Sequence, residues 1–265
     1  MKQTARSTVQ TINLLRNRPS AGLTPMNIKQ EILKIIYTSF SNWSSKQPQA
    51  CTKGCSTCCT QNVNVTAAEA ELILDYLVGN KLEQTALRGL SATTTPSRPL
   101  QTINEFAADC FAGKESEQEQ EGSRDSCPFL KDDLCTIYPA RPFGCRCFLS
   151  QHVCTRTSPA LVTNEYLTAC TVISQLVEHL GQGEYYGNLL DVIPAMLDIS
   201  RYHSIAELAT NATKIQQARS HTLTAKPLPG FLLPPEDSDS VTPLIETIFK
   251  ARVEGKTVEA ILNGQ

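Results

Sequence analysis

No apolar run in this chain approaches the roughly 18 to 20 residues that a helix needs to cross a bilayer, and the first residues lack the apolar stretch of a secretion signal. Basic charge is not in surplus either: the formal net charge is -2. These absences argue against a membrane span, against export and against nucleic acid held by a global basic field. The sequence has no glycine-rich phosphate loop, no alternation of strand and helix patterns and no internal repeat. Only four histidines occur, His152, His179, His203 and His221, and none has a convincing nucleophile partner for hydrolase chemistry.

Cysteine is abundant. Eleven cysteines are spread over 265 residues, an odd number that disulfide pairing alone cannot satisfy. A chain of this length buries an ample apolar core without disulfide staples, so a reducing, cytoplasmic setting is the expectation. Reduced thiols packed at short spacing oxidise readily unless something holds them, and bound metal is the economical explanation.

The thiols fall into two groups. Cys51, Cys55, Cys58 and Cys59 occupy nine consecutive residues, with Gly54 relaxing the turn between them. Cys127, Cys135, Cys145, Cys147 and Cys154 follow downstream in an irregular stretch broken by prolines and Gly144. Thiolates are soft ligands that suit zinc and iron–sulfur clusters, and tight turns aim paired sulfurs at one ion. Cys51, Cys55, Cys58, Cys59, Cys127, Cys135, Cys145 and Cys154 are therefore the candidate ligands. Eight thiolates fill two four-coordinate sites, or one cluster with reactive thiols left over. Cys58 and Cys59 are adjacent, and diverging neighbours serve one mononuclear site only with strain. Cys147 is ambiguous, and His152 is an outside candidate ligand. Cys110 and Cys170 lie on helical apolar stripes and read as ordinary buried thiols. Arg141 and Arg146 flank Cys145 closely enough to offset thiolate charge and hydrogen-bond the sulfurs, while Tyr138 packs against the site.

Around these loops the pattern is helical. Residues 1–23 form a basic arm carrying Lys2, Arg6, Arg16 and Arg18 without an acid, and Thr24-Pro25 reads as a helix start for Met26 to Trp43. Val63 to Val65 is extended, and Thr66 to Glu69 is a capping box for a helix over Ala67 to Val78, with Gly79 as its C′ residue. Further helices are expected over Leu82 to Leu90, Ile103 to Phe111, Asn164 to Leu180, Glu184 to Ile199 with a break at Pro194, and from a capping box at Ser204 to about Ala218. Residues 91–99 read as loop, and 115–125 as an acidic surface insertion. A proline-rich connector precedes a helix opened by Thr242-Pro243, with a final turn at Thr257. The fold class is mainly α: an irregular helical domain over 24–220 whose two cysteine-rich loops are joined by a metal centre, a connector over 221–240 and a C-terminal helical segment over 241–265.

The cysteine groups also carry a resemblance. The first group, Cys127-Pro-Phe-Leu130, and the run from Cys135 through Tyr138, Arg141 and Pro142 to Cys145-Arg146 resemble the YkgJ-type cysteine-cluster family. That family is described as zinc- or iron-chelating and carries a CxxCxxCC signature. The resemblance covers Cys51 to about Cys154. Here the first spacing is C-x3-C, the gap before Cys127 is long, and Cys147 competes with Cys154 for the last ligand position. The resemblance implies a metal ion, zinc or iron, as cofactor, with an iron–sulfur cluster as one form. Some relatives are flagellin lysine N-methylases, which implies methyl-transfer chemistry as an alternative to a structural or metal-handling role. Cys51, Cys55 and Cys58 also match the three-cysteine spacing of radical S-adenosylmethionine enzymes, but the βα pattern of that barrel is missing. A thiol oxidoreductase acting through Cys58-Cys59 lacks the expected C-x2-C pair at a helix N-terminus.

Overall fold

The structure, a computed structural model, describes residues 27–91, 96–115, 122, 124–155, 157–197, 202–209 and 212–265. The basic arm, the Thr24-Pro25 helix start and most of the acidic stretch 115–125 lie outside the described residues.

Helix α1 (Ile28–Ser44) opens at Asn27, whose side chain accepts the Gln30 amide at 2.9 Å. Ile32, Leu33, Ile36, Tyr37 and Phe40 recur at helical spacing and bury one face. Strand β1 (Asn64–Thr66) leads into α2 (Ala67–Gly79) through the expected capping box of Thr66 and Glu69. Gly79 is the last helical residue, so the cap falls on Asn80. Helix α3 spans Glu83–Ser91. Helix α4 (Ile103–Phe111) starts from a second capping box, Thr102 with Glu105. Its buried residues are Asn104 and Ala107, and Asn104 is held by Glu178 and Gln175. That contact turns the far end of α4 outward, so Cys110 is exposed and not the buried thiol that its stripe implied.

The second cysteine region contains only short elements: a hairpin of β2 (Leu130–Lys131) and β3 (Leu134–Cys135), a 3-10 turn over Tyr138–Ala140, and the single turn α5 (Phe143–Arg146). Helix α6 (Asn164–Leu180) matches its sequence reading, with Thr163 as N-cap. The helix expected from Glu184 does not start there. Tyr185–Asn188 is strand β4, which pairs antiparallel with β1 and with β5 (Leu223–Thr224), and α7 spans only Leu189–Ala195. Ser204 lies inside α8 (His203–Ala209) instead of capping it, and α9 spans Ala212–Ser220. Helix α10 (Ser238–Lys250) begins a turn before Thr242. A β6–β7 hairpin (Arg252–Val253, Lys256–Thr257) then leads to α11 (Val258–Leu262), capped by Thr257 as expected. The chain is mainly α, with eleven α-helices among the described residues.

Two apolar clusters flank the cysteine loops. One gathers α1, α6, α10 and α11 around Phe40, Phe143 and Tyr166. The other gathers α2, α7 and α8 around Phe129, Ile137 and Tyr202. Cys127, Cys135 and Cys145 pack against the second cluster, and Cys147 and Cys170 against the first. The seam between the cores is therefore where the thiols collect.

Candidate metal centre

The two cysteine groups, some seventy residues apart in sequence, are zipped together by backbone. The Cys127 amide donates to the Cys59 carbonyl at 2.9 Å, Thr60 and Ser126 form an antiparallel bridge, and the Gln61 amide donates to the Asp125 carbonyl at 3.2 Å. At its other end the first loop is tied to the far end of the second: the Ala50 amide donates to the Ser150 carbonyl at 2.8 Å, next to the segment carrying Cys154.

Local turns aim the individual sulfurs. Gly54 sits at φ +90°, a conformation that side-chain-bearing residues resist, and it lets the chain fold back between Cys51 and Cys55. Asp132 and Asp133 both have positive φ, which gives the two-residue turn that closes the β2–β3 hairpin and delivers Cys135 opposite Leu130. The Ser56 hydroxyl donates to the Asp133 carboxylate at 2.7 Å, a further tie between the loops. Cys145 rides on α5, whose first amide, Phe143, donates to Glu69 at 2.7 Å. The same carboxylate accepts the Tyr37 hydroxyl at 2.8 Å and the Thr66 amide at 3.0 Å. Glu69 is fully buried, and burial raises its pKa. Sequence reading found Glu69 only as a capping residue, because nothing local announces partners on α1 and α5.

A cavity of about 640 Å3 opens between the loops. Cys51, Cys55, Cys58, Cys59, Cys127, Cys135 and Cys145 line it; Cys154 does not, although its charge reaches Cys51. Among the described residues no three His, Cys, Asp or Glu side chains converge closely enough to hold an ion as they stand. His152 is engaged in its own loop, with Nε2 2.9 Å from the Ser158 hydroxyl.

Burial pushes up the thiols of Cys127, Cys135 and Cys145, and at Cys145 the neighbouring sulfurs of Cys127 and Cys135 add to the shift. The adjacent sulfurs of Cys58 and Cys59 act on each other, which raises the Cys58 thiol and lowers that of Cys59. Burial raises Cys51 as well, and its sulfur neighbours are Cys55, Cys154 and Cys58.

The two arginines differ. Arg141 lies over the Tyr138 ring at 4.0 Å, and its field favours the thiolates of Cys58, Cys135 and Cys145. Its Nε is buried without a hydrogen-bond partner. Arg146 stacks on Tyr37 at 4.3 Å and gives its N–H groups to the carbonyls of Arg141 and Pro139, at 2.8 and 3.0 Å. It braces the turn before α5 while also lining the cavity.

The donor set is thiolate-rich, which fits zinc or iron, and the unpartnered Nε belongs to the arginine whose field favours the thiolates of Cys58, Cys135 and Cys145. Residues 50–167 match the family model CxxCxxCC, described as "Putative zinc- or iron-chelating domain". The match brackets every cysteine from Cys51 to Cys154. No curated protein and no solved structure matches the chain.

Proposed function

We propose, on the match of residues 50–167 to the CxxCxxCC family model, that the protein chelates zinc or iron through Cys51, Cys55, Cys58, Cys59, Cys127, Cys135, Cys145 and Cys154. The bound metal has a structural or metal-handling role, tying together loops that otherwise have few elements of their own. The observation that carries this reading is the backbone zipper at Cys59 and Cys127, which sets thiols from both groups around one cavity. Irregular loops wedged between two packed cores gain folding free energy directly from such a site.

We assign the eight candidates to two sets of four, a division supported by the sulfur neighbours: besides the adjacent Cys58, Cys59 is influenced by Cys145, Cys135 and Cys127, and Cys51 by Cys55, Cys154 and Cys58. Each set has the ligand count of a four-coordinate thiolate site. Arg141, facing members of both sets, offsets their charge, and the Cys58–Cys59 pair lies at the seam.

The cavity volume favours a second reading. At about 640 Å3 it exceeds what an ion needs and falls in the range of small-molecule sites. An iron–sulfur enzyme of the methyl-transfer kind, with Arg141 and Arg146 as cofactor-side groups, is the form this takes.

The test is elemental analysis with an absorption spectrum on protein purified without oxygen. Zinc without a visible band supports the structural role. Iron with acid-labile sulfide and a broad band near roughly 400 nm moves the enzyme reading forward, and a spectral change on adding S-adenosylmethionine supports it further. Neither metal in fully reduced protein overturns the chelation proposal.

A further inference from the structure

Three thiols remain outside the proposed ligand set: exposed Cys110, and Cys147 with Cys170, which lie together. Cys147 caps the C-terminus of α5, and Cys170 sits on α6. The Cys170 sulfur is 3.9 Å from the Cys147 carbonyl oxygen, the same oxygen that accepts the Tyr166 hydroxyl at 3.0 Å. The Cys147 sulfur lies 3.4 Å from the Gly144 carbonyl, within its own turn. Both thiols pack against the apolar cluster of α1, α6 and α10, so they have few harder donors beside them with which to complete a metal site.

Cys147 lines a second, smaller cavity of about 260 Å3 together with Phe143, Phe148, Val177 and Tyr186, which gives a small disulfide-bearing reagent an approach to its sulfur.

We propose that Cys147 and Cys170 are a redox pair that closes to an internal disulfide by exchange with a low-molecular-weight disulfide such as glutathione disulfide. The Cys147 thiolate attacks one sulfur of the reagent, its S–S bond breaks, and the first glutathione leaves as a thiolate that takes up a proton. Cys170 then loses its proton, attacks the Cys147 sulfur of the mixed disulfide and expels the second glutathione. Two protein thiols are oxidised, one glutathione disulfide is reduced to two glutathiones, and no other reactant is needed. The closed bond pins α5 to α6 two residues beyond Cys145, without drawing on the eight candidate ligands.

The experiment treats the full chain, as purified and reduced, with glutathione disulfide, blocks the remaining thiols by alkylation and maps the peptides by mass spectrometry. The expected product has lost about 2 Da, carries a Cys147–Cys170 cross-link and retains its metal. In Cys170→Ser the reaction stops at glutathione on Cys147. Finding both Cys147 and Cys170 alkylated while other cysteines are oxidised overturns the proposal. So does a mixed disulfide at Cys147 that persists in the unsubstituted protein. Because metal content is read in the same sample, failure of the pair and failure of the chelation reading are distinguished.

Discussion

The carboxylate of Glu69, near the start of α2, accepts the amide of Phe143, the first residue of α5, at 2.7 Å. One buried side chain thus holds the beginnings of two helices, and the second of them carries Cys145. Replacing Glu69 with Ala leaves the Tyr37 hydroxyl and the Phe143 amide buried without an acceptor. The expected cost is on the order of 3 kcal/mol, read from denaturant unfolding, together with a loss of bound metal. A change within about 0.5 kcal/mol would sink this account of Glu69.

The ligand sets are separable by mutation. Cys59→Ser or Cys135→Ser is expected to remove metal from one set, and Cys51→Ser or Cys154→Ser from the other, leaving about half of the metal in each case. Cys110→Ser and Cys170→Ser should leave metal content intact. Equal loss across all six variants, measured by elemental analysis of folded protein, contradicts the assignment.

Metal uptake should depend steeply on pH. The thiols of Cys127, Cys135 and Cys145 are raised, so they are protonated at neutral pH without metal and release protons on binding. Apparent affinity rises with pH across the neutral range. Titration in two buffers of different ionisation enthalpy measures the release, and no difference between the buffers speaks against thiolate ligation.

His179 supplies a separate pH effect. Its Nδ1 accepts the Leu228 amide at 3.1 Å, which leaves Nε2–H to donate to the Leu262 carbonyl at 3.2 Å. Burial holds its pKa below the ordinary histidine value of 6.5, so the neutral ring is the folded form. The contribution is present in full above the unfolded pKa and is lost as pH falls through the folded value. Glu178, one residue earlier and raised by burial, has the opposite sign: its contribution is present below the unfolded carboxylate value and lost as pH rises through the folded one. Glu178 is common to the unsubstituted protein and His179→Gln, so the difference between them from about pH 7.5 to about pH 5.5 reports the histidine. The melting temperature of the unsubstituted protein should drop over that interval by more than that of His179→Gln. Parallel curves would refute the role.

Much of the helical framework was legible because its signals are local. Thr66 with Glu69 and Thr257 before α11 are side chains that satisfy amides a few residues away. The β4 segment was misread because its partners are distant: Tyr186 pairs with Thr66 and with Leu223. One local clue existed, since Gly187 holds φ +154°, outside any helix. The cysteine loops were visible as composition, but the zipper at Cys59 and Cys127 and the exposure of Cys110 depend on tertiary packing that spacing does not encode.

The adjacency of Cys58 and Cys59 sets the order of loading. A single peptide plane separates the two proposed sets, so an ion that fixes one sulfur has already removed the chain freedom that the other would lose. Filling is then cooperative. Half-loaded molecules should be scarce at every metal concentration, and native mass spectra should pass from none bound to two with little in between.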